Sequence, residues 1–426
     1  MLYERWRQIA HAHAAEIALR DLTSGRQWTF RELADAGEQG TAVPGRFVFP
    51  HGICAEFVFS VLRAWREGQI VCPLESEQSP PAIAPRLPTN IVHLKTTSAT
   101  TGAPRMIAFT ARQLMADAEN IVTTMGLRPD WPNVGVISLA HSYGFSNLVL
   151  PLLLHGIPLI LANAPFPVLL KQAALSGESL TLAAVPALWR MWHDADAIPF
   201  SVRLAISAGA PLPLALEQNV FSARGLKIHN FYGSSECGGI AFDATDAPRS
   251  DATCVGAPMR NVELSTGSDG CLEVRSDAVG QTYWPEAIPT LGNGVFRASD
   301  LAEISGGQVY LRGRINDQIN IAGRKISPES IEKVLATHPA VRECLVFGAP
   351  FEDAQRSELI VACVVLNTGE TEESLRQFML EKLPAWQVPR EWWRVDSLAV
   401  NQRGKLSRAD WRKRFMELAA AGENMP

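Results

Sequence analysis

From Phe47 to Gly233, apolar strand-like runs alternate with helix-like stretches, and no other feature of the chain restricts its fold as much. The runs FVFPHG, IVCPL, VGVISL, PLILA, LTLAAVP, VRLAISAGA and LKIHNFYG are interleaved with AEFVFSVLRAWREG, ARQLMADAENIVTTMG and PLALEQNVFSARG. Runs apolar on both faces, separated by helices, predict a layered α/β domain built on parallel strands. Such sheets bind ligands in the loops beyond the strand carboxyl ends, and Gly, Ser and Pro follow many of these runs.

Past about Asp251 the texture changes to short strands with Gly-rich turns (VELSTGSDGCLEVRS, GVFRASDLAEISGGQVYLRGR), which predicts a smaller antiparallel subdomain. Past Arg314 it changes again. ISPESIEKVLATHP opens a helix with Pro328 and Glu329 in its first turn, and VRECLVFG, ELIVACVVL and TEESLRQFMLEKL follow, as expected of a separate α+β domain. The division expected is 1–315 and 316–426. The segment Trp131–Leu170 holds no Asp, Glu, Lys or Arg. Asn133, Ser138, His141, Asn147, His155, Asn163 and several prolines interrupt it, so it reads as buried strands rather than a membrane span.

Lys plus Arg number 39 against 44 for Asp plus Glu, a net charge of -5, so no general basic field exists to hold nucleic acid. The seven cysteines are odd in number, scattered and never in a C-x-x-C pair. Neither a disulfide framework nor a zinc site follows from them. A polar N-terminus carrying Glu4, Arg5 and Arg7 has no apolar signal core, and a reducing, cytoplasmic setting is the expectation.

Between the strand-like IVHLK and the apolar IAFT lies TTSATTGAPR (residues 96 to 105), rich in hydroxyls and ending in one basic side chain. Hydroxyl donors and exposed backbone N–H groups suit a phosphate. No Walker A pattern is present, and a plain connecting loop accounts for this segment taken alone. Five further segments follow it: SAGAPL (Ser207–Leu212), NFYGSSE (Asn230–Glu236), FRASD (Phe296–Asp300), GRINDQINIAGRKISPESIE (Gly313–Glu332) and NQRGKLSR (Asn401–Arg408). In that order, over nearly the whole chain, the six resemble the signature motifs of the acyl-adenylate-forming superfamily. Within it, the chain resembles a short acyl-CoA synthetase-like or acyl-carrier-protein ligase-like member.

The resemblance implies ATP and Mg2+ as cofactors and a nucleotide site in several pieces. Thr97, Ser98, Thr100, Thr101, Gly102 and Arg105 would form the phosphate loop; Gly209, Ala210 and Pro211 belong to SAGAPL. Asn230, Phe231, Tyr232, Gly233, Ser234 and Ser235 lead to Glu236, and Asp300 and Arg314 would hold the ribose. Residue chemistry suits these roles. Tyr232 offers an aromatic face to adenine and Asn230 an amide to its edge. Glu236, with Thr100, is a hard oxygen ligand for Mg2+ between phosphates. Asp300 can accept from both ribose hydroxyls, although an Asp–Arg surface pair is the plainer account of Asp300 and Arg314. Lys405 corresponds to the adenylation lysine, a cation for charge that develops on the α-phosphate and carboxylate. His141, in SLAHSYGF, falls where the family places an aromatic gate between acid pocket and thiol tunnel, and is a catalytic candidate. The acyl pocket is expected at Ser142, Phe145, Ala208, Cys237, Gly238 and Gly239. Cys237, Gly238 and Gly239 are small, with Ala208, Gly209 and Ala210 similarly small opposite, which reads as an unobstructed wall, and no buried cation is evident for a second carboxylate.

The chain also departs from the family pattern. Ala99 replaces a loop Gly, Arg105 a Lys, Ser235 a Thr, Ser299 a Gly and Asn316 a hinge Asp. Between VCPLE and the phosphate loop, from about 75 to 95, some twenty residues stand in for a much longer family segment. The resemblance implies two half-reactions, adenylation of a carboxylic acid and transfer of the acyl group to a thiol. A C-terminal domain would rotate about Asn316 and Asp317 between them and bring Gly323 toward a thiol tunnel. The acceptor is CoA or the phosphopantetheine of an acyl carrier protein. From Lys382 to Arg414 nine basic residues stand against three acidic ones, a patch suited to either. Amino-acid-activating members of the superfamily keep an Asp in the neighbourhood of His141 to pair with the substrate ammonium, and none is present here, so the resemblance disfavours an α-amino acid; an aromatic or a medium-chain fatty acid fits the small pocket residues. Two alternatives are a nucleotide-binding regulatory pseudoenzyme and an adenylating enzyme with a non-thiol acceptor.

Overall fold

The computed structural model describes residues 1–41, 44–76, 78–81, 83, 87–96, 105–353, 356–367, 369, 371–398 and 406–421. The chain folds as two compact units. One comprises Met1–Ser265, Glu273–Arg297 and Ile304–Tyr310; the other comprises Thr266–Leu272, Ala298–Glu303 and Leu311–Pro426.

In the first unit the strands in chain order are β1 (Ile17–Asp21), β2 (Arg26–Thr29), β3 (Phe47–Val48), β4 (Ile70–Val71), β5 (Ile91–Thr96), β6 (Met106–Thr110) and β7 (Asn133–Gly135). They continue with β8 (Leu159–Leu161), β9 (Leu180–Ala184), β10 (Val202–Ser207), β11 (Ile228–Ser234), β12 (Gly238–Phe242) and β13 (Cys254–Pro258). The larger sheet runs β13-β12-β11-β10-β9-β7-β8-β1-β2. From β11 to β1 its strands are parallel. Strands β7, β8 and β9 are buried at every position, which is why they read as unbroken apolar runs. The helices fall where predicted, at Ala55–Arg66, Ala111–Met125 and Leu214–Arg224. The last two end on the left-handed glycines Gly126 and Gly225.

The second sheet of this unit orders Thr282–Trp284, β6, β5, β4 and β3. Strands β5 and β6 are antiparallel, with Thr96 opposite Met106, so the phosphate-loop segment is the connection of a hairpin. The abbreviated segment before β5 contributes to a core. Ile83 and Leu87 pack on a cluster of Ile70, Cys72, Leu74, Ile91, Leu94, Met106, Ala108 and Trp284.

The uncharged segment after Trp131 forms β7, β8 and a helical run from Ser142 to His155. No helix among the described residues is long and apolar enough to cross a membrane. That run contains one π-helical turn, Phe145–Val149, buried throughout. A π turn disturbs the regular carbonyl acceptors, and two side-chain amides take them up: Asn147 donates to the Tyr143 carbonyl at 3.1 Å, and Asn133 to the Asn147 carbonyl at 3.2 Å.

In the second unit a three-stranded sheet (Val341–Asp353, Arg356–Leu366, Glu391–Arg394) separates two apolar layers. Alternation along the strands decides which layer each residue joins. Val346, Ile360, Ala362 and Val364 pack with Ile331 and Leu335 of helix Pro328–Leu335 and with Leu375 and Met379 of helix Glu372–Lys382. Leu345, Phe347, Val361, Cys363 and Val365 pack on Trp411 and Phe415 of helix Arg408–Ala421. A short hairpin, Ile319–Ile321 with Arg324–Ile326, precedes them.

Candidate active site

SAGAPL leaves the carboxyl end of β10, and NFYGSSE runs along the neighbouring parallel strand β11 into the turn that follows it. Ser207 closes β10 and pairs with Ala184 of β9 on one side and Asn230 of β11 on the other. SAGAPL therefore begins beside Asn230. A buried ionic network, unseen in the sequence, fixes this ground. Glu217 (0% exposed) pairs with Lys227 and Arg249, and Lys227 also pairs with Asp243 at 2.7 Å. Arg249 donates to the Leu212 carbonyl at 2.8 Å and to the Cys254 carbonyl at 2.6 Å. The Asn230 amide donates to that same Cys254 carbonyl at 3.3 Å. Asn230 is thus held by the scaffold through its NH2 group. Phe231 is buried and its ring lies 5.8 Å from Tyr143; Tyr232 is half-buried, and Gly209 is exposed at the loop apex.

Glu236 sits at the tip of the hairpin joining β11 to β12, where Ser234 pairs with Gly238. The Ser234 hydroxyl accepts the Glu236 N–H at 3.2 Å. Tyr283 donates its hydroxyl to Glu236 Oε1 at 3.0 Å, and the Gly280 N–H donates to the Glu236 carbonyl at 2.8 Å. Tyr283 was absent from the expected site. Its strand pairs with β6, so it ties the carboxylate to the hairpin that carries the phosphate loop. Burial, and then the Glu236 charge, push the Tyr283 phenol upward, so it remains a donor. Arg105 is exposed and near enough to act on the Tyr283 charge. Thr97, Ser98, Thr100, Thr101 and Gly102 lie outside the described residues, as does Lys405.

His141 caps the helical run, its Nδ1 accepting the Tyr143 N–H at 3.2 Å, which leaves the ring proton on Nε2 in the neutral form. Ser142 opens that run, and Phe145, buried, begins the π turn. Ala208 is buried; Cys237, Gly238 and Gly239 are buried as well.

Two expectations about the acid pocket need correcting. The space beside the small residues is occupied: a side chain at Gly238 would meet Asp117 Oδ1 at 1.9 Å, and one at Gly239 would meet the Met259 sulfur at 2.4 Å. The glycines admit those side chains to the loop rather than leaving an open wall. A buried cation is also present. Lys95 (5% exposed) lies over the Phe109 ring at 4.5 Å, 3.3 Å from Ser146 Oγ and 3.9 Å from Asp117 Oδ2. Burial lowers its proton affinity, against the pull of Asp117, Cys237 and Glu236.

The remaining candidates belong to the second unit. Arg314 Nε donates to Asp300 Oδ1 at 3.0 Å. Asn316 and Asp317 form a 3-10 turn directly after Arg314. Gly323 caps its hairpin, with its N–H donating to Asn320 Oδ1 at 2.9 Å. Part of the basic patch is committed elsewhere. Arg408 pairs with Glu332 at 2.6 Å and Glu329 at 2.8 Å, with Asp317 3.6 Å away, and Arg414 covers the rings of Trp393 and Trp411.

Comparison with known proteins accounts for this arrangement. Residues 54–284 match the family "AMP-binding enzyme" and residues 330–405 its C-terminal domain. The chain belongs to the AMP-binding enzyme family, within the acyl-adenylate-forming superfamily, and is an AMP-forming ligase of the acid–thiol class. Among its relatives is a protein of Mycobacterium tuberculosis named "Probable 2-succinylbenzoate--CoA ligase", 27% identical over 78% of this chain and 87% of its own. Another is the fatty acid–[acyl-carrier-protein] ligase ScoC of Streptomyces coeruleorubidus, 26% identical over 83% of this chain and 71% of its own. The fold is shared with ATP-bound MatB from Rhodopseudomonas palustris, at a TM-score of 0.85 and 18% identity, covering 98% of this chain and all of that one.

Proposed function

We propose that this chain activates an aromatic or medium-chain carboxylic acid with ATP and passes the acyl group to the thiol of CoA or of a carrier-protein phosphopantetheine. The observation that carries the reading is the pairing of Ser207 with Asn230. It sets SAGAPL beside the segment that ends in a Tyr-held Glu236, at the carboxyl edge of a parallel sheet.

A carboxylate is a poor electrophile. In the first half-reaction its oxygen attacks the α-phosphorus, the bond to the bridging oxygen breaks, and pyrophosphate leaves. In the second, sulfur attacks the acyl carbon and AMP departs with the bonding electrons. Tyr232 gives adenine a face; Asp300 and Arg314 serve the ribose; Lys405 meets the charge that grows on the α-phosphate. Glu236 would hold Mg2+: its carboxylate is a hard oxygen ligand, positioned at one oxygen by the Tyr283 hydroxyl. An ion held by one carboxylate, phosphate oxygens and water is the usual Mg2+ arrangement. His141, fixed by its capping bond, turns Nε2 away from the helix end as a gate. Asn316 and Asp317 are the pivot between the steps and Gly323 lines the thiol path.

The relatives support both acceptors, since one is named for CoA and another for a carrier protein. Preloading the adenylate and then adding CoA or a holo carrier protein tests the reading. AMP release that requires either thiol is expected, and the one that works names the acceptor. Release at the same rate with no thiol would refute the transfer step.

A further inference from the structure

Nothing in the two half-reactions requires a buried ion pair, yet Lys95 and Asp117 form one with bonding capacity to spare. Lys95 has three donors and uses one, toward Ser146 Oγ at 3.3 Å; Asp117 Oδ2, at 3.9 Å, is beyond hydrogen-bond reach. Asp117 (3% exposed) accepts from Ser146 Oγ at 2.6 Å and from the Gly239 N–H at 3.2 Å, out of about four acceptor positions. Two residues back on the same face of β5, His93 is fully buried and neither ring nitrogen has a partner. Buried polar atoms left in this state are costly, about 1–3 kcal/mol each, and call for an explanation.

The cluster adjoins the residues assigned to the acid. The Phe145 ring lies 4.4 Å from that of His93, the Gly238 Cα hydrogens face the Asp117 carboxylate, and Cys237 and Glu236 act on the Lys95 charge. The π turn at Phe145–Val149 is what brings Ser146 between the two charges.

We propose that Lys95 and Asp117 recognise a hydroxyl group at the end of the substrate remote from its reacting carboxylate. This rests on the acid-activating reading above and narrows it to hydroxy acids. A hydroxyl is donor and acceptor at once, so it donates to Asp117 and accepts from Lys95. Ser146 Oγ already bridges the pair, 3.3 Å from Lys95 Nζ and 2.6 Å from Asp117 Oδ2, and the substrate oxygen would take a second bridging position about 2.8 Å from each charge. A second carboxylate suits the pair less well: Lys95 and Asp117 already cancel, and a further anion would stand uncompensated in a buried site near Glu236.

The test is carboxylate-dependent ATP–pyrophosphate exchange with matched acids: 4-hydroxybenzoate against benzoate, 4-hydroxycinnamate against cinnamate, an ω-hydroxy fatty acid against its parent, and terephthalate as the dicarboxylate. The wild type is expected to favour one hydroxy acid over its deoxy partner by at least about 100-fold in kcat/KM, as a site built around a hydroxyl does. Lys95→Met keeps the side-chain length and should bring that ratio to within about threefold while deoxy acids still exchange. Asp117→Asn keeps one acceptor oxygen, for the Gly239 N–H, and turns an NH2 donor toward the Ser146 hydroxyl, which can accept; it should cut the ratio at least about tenfold, and it carries the test alone if Lys95→Met does not fold. A merely structural pair would change stability and leave the ratio untouched. Equal use of hydroxy and deoxy acids by the wild type, preference for terephthalate, or an unchanged ratio in the variants overturns the inference and leaves acid activation standing. Absence of exchange with every acid overturns the acid-activating reading itself.

Discussion

Replacing Gly238 by Ala tests whether Asp117 is as firmly held as its contacts imply. Gly238 has φ +68°, and an added Cβ would lie 1.9 Å from Asp117 Oδ1. The left-handed backbone alone costs an Ala about 1 kcal/mol. Asp117 is short, and its carboxylate is bonded to Ser146 and to Gly239, so it has no flexible end to swing aside. Moving it strips the buried Lys95 of its counter-charge, a change of roughly 3–5 kcal/mol. The total is about 4–6 kcal/mol. Gly126 provides the control: φ is +65° and nothing lies within 4 Å of an added Cβ. At about 2 °C per kcal/mol for a unit of this size, Gly126→Ala should lower Tm by about 2 °C and Gly238→Ala by roughly 8–12 °C. In an Asp117→Ala background the extra cost of Gly238→Ala should vanish, leaving the backbone term. Equal losses for Gly126→Ala and Gly238→Ala in the wild-type chain would refute the idea that Asp117 is pinned against the loop.

Other consequences follow from single contacts. Burial pushes the Glu332 carboxyl up to about 7, against the lowering effect of Arg408. The folded chain then holds that proton up to about pH 7 while the unfolded chain releases it near 4.5, so stability falls as pH rises between those values, by at most about 3 kcal/mol. Glu332→Gln should remove that slope, seen as Tm against pH from 5 to 8; an unchanged slope would show that another group carries it. Tyr283→Phe removes the hydroxyl that donates to Glu236 Oε1. Adenylation should drop about tenfold and need more Mg2+ for half-maximal rate, with Tm within about 2 °C of wild type; an unaltered Mg2+ requirement would separate Tyr283 from the metal-binding role.

Much of the architecture was legible because the chain states it locally. Unbroken apolar runs gave β7, β8 and β9, and Gly126 and Gly225 marked helix ends. What escaped depends on residues far apart in sequence. Lys95 ends a strand just before a polar loop and looks like an exposed lysine. In the sheet it shares a face with His93, two residues earlier, and alternation along Ile91–Thr96 was the signal that both point to the same side. Its partner Asp117 lies on a helix among good helix formers, where an acidic residue usually faces water. The π turn has no reliable sequence mark, and without it Ser146 would not be expected between the two. Small residues after Glu236 suggested open space because sequence shows the size of a residue and not what packs against it. Tyr283 carried no local signal of its link to Glu236, 47 positions away.

The central claim is that this chain adenylates a carboxylic acid through Lys405. Carboxylate-dependent ATP–pyrophosphate exchange, run with pooled hydroxybenzoates, hydroxycinnamates and fatty acids on the wild type and on Lys405→Ala, tests it most directly. Exchange by the wild type, with loss of about three orders of magnitude in a variant that still melts cooperatively, is the predicted result. Exchange of comparable rate in both proteins would contradict the assignment of Lys405, and ATP binding without exchange on any acid would contradict the claim as a whole.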